Sequence, residues 1–177
     1  SVLDANIQKV IDIAARRTSS EADAAYLDDR RNQSYSVIDG LGSLTDIYRK
    51  KAGATTTIND VPADATTKKY EDEGTNAGDI SSSLGNVVNL VNTLRGDYST
   101  TNPAKSYFSY PRPFRWSDNS VVVPSLIPAL KSDATNDGGF PSGHTNAAYL
   151  SSIAMAYAMP ERYQELLTRA SELGNNR

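Results

Sequence analysis

The stretch Gly143 to Ala158 constrains the fold more than any other part of this chain. Its apolar residues, Ala147, Ala148, Tyr149, Leu150, Ile153, Ala154, Met155, Ala156 and Ala158, fall on all sides of a helical wheel, and most of them are small. A helix of this kind belongs inside a protein, with burial on every face, and its alanines let neighbouring backbones come close. The rest of the chain must supply the surround, and it reads as helical too. Leu3, Ile7, Val10, Ile11 and Ala14 form one apolar stripe at helical spacing, followed by Arg16-Arg17, which suit the negative end of a helix dipole. Ser19 and Ser20 can cap a second helix running to Arg31, while Val37, Leu41, Leu44 and Tyr48 mark a third, weakened by Gly40 and Gly42. A further amphipathic helix carries Ile80, Leu84, Val87, Val88, Val91 and Leu94 on one face, with Gly96 beyond its end. No segment alternates long enough for a sheet, since Val121-Val122-Val123 runs straight into Pro124. The expected fold is all-α: a helical bundle in one domain over residues 1–177, with the 143–158 helix at its centre. Residues 53–78, rich in Thr, Asp, Gly and Ala, read as a long loop or flap.

Composition removes whole classes of chemistry. The 177 residues include one histidine and no cysteine, which excludes a Cys nucleophile, a thiolate zinc site, a disulfide, and any site needing two imidazoles from this chain alone. Eighteen Lys and Arg against 21 Asp and Glu give a net charge of −3, which gives no support for global attraction to nucleic acid. The most apolar irregular stretch, Val121 to Leu130, is broken by Pro124 and Pro128 and is half the roughly 20 residues that a bilayer requires, so no membrane span is expected. The opening Ser1-Val2-Leu3-Asp4 shows no basic segment followed by an apolar core, so no signal peptide is read in it. The paired bases Arg16-Arg17, Arg30-Arg31 and Lys50-Lys51 read as solvated helix ends.

Chemistry-bearing residues gather in the second half. Asn102 can cap a helix that has Pro103 at its first position and Lys105 in its first turn. Six residues separate Lys105 from Arg112, which is bracketed by Pro111 and Pro113. That offset is about two helical turns, so an ammonium and a guanidinium can converge on one oxyanion. By itself this is a weak signal, because two cations so spaced are ordinarily just surface charges. The second piece is Gly138-Gly139-Phe140-Pro141-Ser142-Gly143-His144-Thr145. Ser142 is a natural cap for the buried helix, and Gly143 lets backbone N–H groups approach a ligand, as at other anion sites built on helix N-termini. Two other readings of this loop fail. Asp133, Thr135, Asp137 and Gly138 imitate the start of a calcium loop, but His144 stands where its bidentate Glu is needed. A serine-hydrolase elbow would need small residues and a strand ahead of Ser142, and Phe140-Pro141 stands there instead. Taken alone, His144 reads as a core or capping histidine.

Together the two pieces resemble the first two motifs of the type 2 phosphatidic acid phosphatase superfamily, and most of all its class A bacterial non-specific acid phosphatases. That superfamily also takes in membrane lipid-phosphate phosphatases and vanadium haloperoxidases. The likeness continues through Pro160, Arg162, Glu165, Arg169 and Glu172-Leu173-Gly174-Asn175-Asn176-Arg177, similar to the segment leading into the third motif, and covers about residues 100–177. The resemblance implies that Lys105, Arg112, Ser142, Gly143 and Arg177 hold the oxygens of a phosphomonoester or of inorganic phosphate. It implies that His144 is the general acid for the leaving alkoxide. A second histidine of the third motif, oriented by an Asp, would attack phosphorus to give a phosphohistidine, and no metal or other cofactor is implied. A periplasmic or secreted location and a homo-oligomer are compatible with the family. Cations around His144 disfavour its protonated form and a bound phosphate dianion restores it, so an acidic optimum is expected.

The chain departs from the family at its end. The nucleophilic His and its Asp would follow Arg177 within about a dozen residues, and Asn176 stands where the family usually has Ser. Residues 1–177 are therefore expected to be the larger part of the domain, partnered by a C-terminal piece that carries the nucleophile, and to be inactive alone. Three alternatives stay open: a vanadium haloperoxidase, which uses the same oxyanion cage for vanadate, a lipid-phosphate phosphatase, which fits less well without a span, and, from a different class, a non-catalytic helical phosphate-binding module.

Overall fold

A computed structural model describes residues 1–30, 44, 47, 50–51, 80–96, 101–116 and 138–177. Among the described residues every regular element is helical: α1 (Val2–Arg16), α2 (Ser19–Arg30), α3 (Gly85–Gly96), α4 (Thr101–Phe108), α5 (Pro113–Trp116), α6 (Gly143–Ala158), a 3-10 turn (Pro160–Arg162) and α7 (Tyr163–Asn176). The all-α expectation holds. None of these helices is long and apolar enough to cross a membrane. The expected third helix around Val37 to Tyr48 and the 53–78 loop lie outside the described residues, apart from Leu44, which is buried, and Ile47, which packs beside it.

A helical hairpin made of α6 and α7 organises the molecule. Leu166 clusters with Ala154, Met155 and Met159 near the turn, and Ala170 and Leu173 cluster with Ala148 farther along. Partners thus advance along α7 as they recede along α6, which makes the two helices antiparallel. Small residues at the seam, Ala148 and Ala170, are completely buried and permit close approach of the axes. With 16 and 14 residues, the helices run about 24 and 21 Å from the turn. Near-equal lengths bring the start of α6 and the finish of α7 to the same end of the hairpin. Two helices flank it, α3 against α6 and α2 against α7, with Leu84 of the turn before α3 in the main core cluster.

Some boundaries differ from expectation for local reasons. Burial of α6 is not complete: Tyr149, Ile153 and Tyr157 form a stripe at four-residue spacing that faces solvent, with Tyr157 84% exposed. The cap of α2 is Thr18 and not Ser19 or Ser20, because Thr18 Oγ1 accepts from the Glu21 N–H at 3.2 Å while the Glu21 carboxylate accepts from the Thr18 N–H at 2.7 Å. This reciprocal box fixes the first turn. A similar box joins Ser1 and Asp4 at the start of α1, and the stripe Leu3, Ile7, Val10, Ile11 and Ala14 is half-buried as expected. The next helix begins at Gly85, not Ile80, since the Ser82 hydroxyl takes the N–H of Leu84 and its carbonyl takes that of Gly85, making a turn where the apolar spacing suggested a helix. Ile80 is left exposed.

Candidate active site

The first two motif segments meet backbone to backbone. Asn102 is not the cap expected for α4, which already begins at Thr101, and Lys105 is its fifth residue. The helix then ends at Phe108, where Ser109 takes a left-handed φ of 44° with its N–H on the Lys105 carbonyl at 2.9 Å. Arg112 therefore does not continue the helix of Lys105, and two-turn periodicity is not what relates them. Both are instead docked on residues 138–139. Lys105 Nζ donates to the Gly138 carbonyl at 2.5 Å, with its stem lying along Gly138. Gly139 donates to the Tyr110 carbonyl at 2.7 Å and presses on the main chain of Pro111 and Arg112. The Arg112 carbonyl accepts from Arg115 at 2.9 Å and so opens α5, with Pro113 as its first residue, where a missing N–H is harmless. Arg112 is half-buried, with Nε enclosed. Phe108 packs edge-on against Phe140 at 5.2 Å and closes the contact between α4 and this loop.

Past the cis Phe140–Pro141 bond, Ser142 is the cap of α6, as expected: its Oγ accepts from the Thr145 N–H at 3.2 Å, and its carbonyl accepts from Asn146 at 3.1 Å. A hydroxyl that accepts in this way keeps its own proton to donate. The N–H groups of Gly143 and His144, at the first two helical positions, have no acceptor inside the helix, and the positive end of the α6 dipole lies there. His144 is buried, with Nε2 enclosed. The third segment arrives on α7. A side chain added at Gly174 would sit 3.3 Å from Thr145 Cγ2, so the end of α7 passes closely over the first turn of α6. Arg177 follows directly as the residue after the helix, half-buried with Nε enclosed. The fold thus brings the segments that carry Lys105, Arg112, Ser142, Gly143, His144 and Arg177 to one end of the α6–α7 hairpin.

Sequence reading missed Asp28. Its carboxylate, 7% exposed, accepts from Arg169 Nη2 at 2.7 Å, from Arg169 Nη1 at 3.4 Å and from Asn176 Nδ2 at 2.7 Å. In the run Asp28-Asp29-Arg30-Arg31 it reads as part of a solvated charge cluster. A signal was present nonetheless: Asp28 lies three residues after the buried Ala25, on the same face of α2.

An all-helical protein, with a capped helix N-terminus and basic segments gathered around it, is the class that fold and site define. The chain belongs to the PAP2 superfamily, whose family model matches residues 86–174. It is similar to a non-specific acid phosphatase of Salmonella typhi, 38% identical over 89 residues, covering 50% of this chain and 34% of that protein. It is also similar to a non-specific acid phosphatase of Salmonella typhimurium, 35% identical over 92 residues, covering 52% of this chain and 35% of the relative. The chain matches about a third of the length of these curated relatives. No solved structure matches it.

Proposed function

We propose that the protein hydrolyses phosphomonoesters as an acid phosphatase, through a phosphohistidine intermediate. The observation that carries this reading is the docking of the Lys105 and Arg112 segment onto the loop that caps α6 at Ser142. Phosphoryl transfer asks a protein mainly for positioning and for positive charge about the equatorial oxygens. Lys105, held to the Gly138 carbonyl, supplies the ammonium charge. Arg112 and Arg177 supply planar forks suited to phosphate, and the Ser142 hydroxyl and the Gly143 N–H complete the cradle. His144, on the first turn of the same helix, gives its proton to the leaving alkoxide oxygen as the P–O bond breaks. The nucleophilic imidazole comes from chain outside residues 1–177, since His144 is the one histidine within them. It takes the phosphoryl group, which water then releases as phosphate. Chemistry written this way calls for no metal ion, and a non-specific acid phosphatase of this kind works in the periplasm or outside the cell.

Assay of the full-length gene product tests the reading. It should hydrolyse both 4-nitrophenyl phosphate and a simple alkyl phosphate. His144→Ala should lower the rate on the alkyl ester by roughly a hundred- to ten-thousandfold and the rate on the nitrophenyl ester much less, because nitrophenolate leaves without a proton. Equal losses on the two substrates would remove the general-acid role. Halide oxidation dependent on added vanadate, with no hydrolysis, would replace the phosphatase by a haloperoxidase.

A further inference from the structure

Asp28 joins the N-terminal part of the chain to the finish of α7, 141 and 148 residues away in sequence. Both of its oxygens are occupied. Arg169 grips it with two guanidinium nitrogens, and the Asn176 amide adds a third donor on Oδ2. Arg169 and Asn176 lie seven residues apart, about two turns, so one carboxylate holds the last two turns of α7 from a single side. The Arg169 side chain is itself largely buried, at 14% exposure, and Glu172 reaches it only from the solvent side, at 3.8 Å. An ion pair alone would suffice to pin α2 against α7. The additional bond from Asn176 goes to the final helical residue, where the helix has no further internal bonds to keep it from fraying. The next residue is Arg177. From the other side, Gly174 rests on Thr145, so the last turn of α7 is fixed between α2 and the first turn of α6.

We propose that Asp28 is a positioning residue: through Arg169 and Asn176 it locks the terminal turn of α7, and so fixes the origin from which Arg177 reaches an anion held at the start of α6. This rests on the reading of Arg177 as a phosphate ligand given above. A cation that must meet a phosphoryl oxygen gains little if its backbone wanders, since a misplacement of about 1 Å can cost on the order of a hundredfold in rate.

The test uses the full-length protein and inorganic phosphate as the probe, with affinity read by calorimetry and stability by thermal melting. Asn176→Ala should weaken phosphate binding by about tenfold. Because Asn176 is a half-buried residue at a helix end, the same change should move Tm by less than about 3 °C. Arg177→Ala should weaken binding at least as much, and the double variant should bind no worse than Arg177→Ala alone, because Asn176 acts only by placing that arginine. Asp28→Asn should follow Asn176→Ala in affinity with a larger fall in Tm. If Asn176→Ala binds phosphate like the parent while Arg177→Ala is impaired, or if the two losses multiply, the positioning role is wrong and the phosphate reading stands. If Arg177→Ala binds phosphate undiminished, both fall together.

Discussion

Gly139 has no room for a side chain. A Cβ there would lie 2.6 Å from the Pro111 carbonyl oxygen and 2.9 Å from Arg112 Cα, and both are backbone atoms that cannot swing aside. Gly139→Ala should therefore push the 110–112 segment away, destabilise the protein by about 1–3 kcal/mol in urea unfolding, and weaken inorganic phosphate binding through displacement of Arg112. Parent-like stability and affinity together would show that the two segments slide independently. The sequence displayed Gly138-Gly139 ahead of the Pro-Ser-Gly-His run, but spacing carries no information on what a glycine must pass. Ser142 was legible because a cap acts on its own next three residues. Asp28 was not, because its partners are 141 and 148 residues distant and a carboxylate among charges looks the same in sequence whether it is solvated or enclosed.

Helices were legible where their faces are amphipathic or wholly apolar, and their ends were less so, since ends are decided by single hydrogen bonds. α2 illustrates this: three residues in a row, Thr18, Ser19 and Ser20, could each cap it, and the choice falls on Thr18 because Glu21 stands three places on. The Thr18 backbone N–H and hydroxyl hold the Glu21 carboxyl below its ordinary value of 4.5. A carboxyl whose folded value is depressed stabilises the folded state above the ordinary value and loses that contribution as pH falls through the depressed one. The first turn of α2 should accordingly stay closed at neutral pH and open below pH 4.5, seen as faster amide exchange at Glu21 and its neighbours. Thr18→Ala should open the same turn at neutral pH. A Glu21 titration by NMR with its midpoint at or above 4.5 would contradict the box. Likewise the Lys105 and Arg112 pair looked like one helical face, and it proved to be two elements meeting a third, a relation that no helical wheel can display.

At the scale of the whole molecule, the N-terminal helices, on which the motif resemblance was silent, are tied to the site from two sides. α2 reaches the third segment through Asp28, and α1 reaches the first through Tyr110, whose hydroxyl donates to the Leu3 carbonyl at 3.0 Å. Tyr110 stands two residues before Arg112, and its carbonyl also receives Gly139, so the same residue joins α1, the first motif and the second. Burial raises the Tyr110 phenol above its ordinary value of 10.0, and the nearby negative charge of Asp4 adds to the rise. A phenol whose folded value is raised contributes its stabilisation in full below the ordinary value and loses it as pH climbs through the raised one. Tyr110→Phe removes the bond to Leu3 while keeping the ring, so at pH 8 it should lower unfolding free energy by about 1 kcal/mol. Above pH 10 the phenol of the unfolded chain ionises first, and past the raised value the folded phenolate can no longer donate to the carbonyl, so the gap between parent and variant should narrow as pH climbs. Urea unfolding of both proteins at pH 8 and at pH 11 measures the two gaps, and equal gaps would mean that the hydroxyl gives α1 no hold on the first motif.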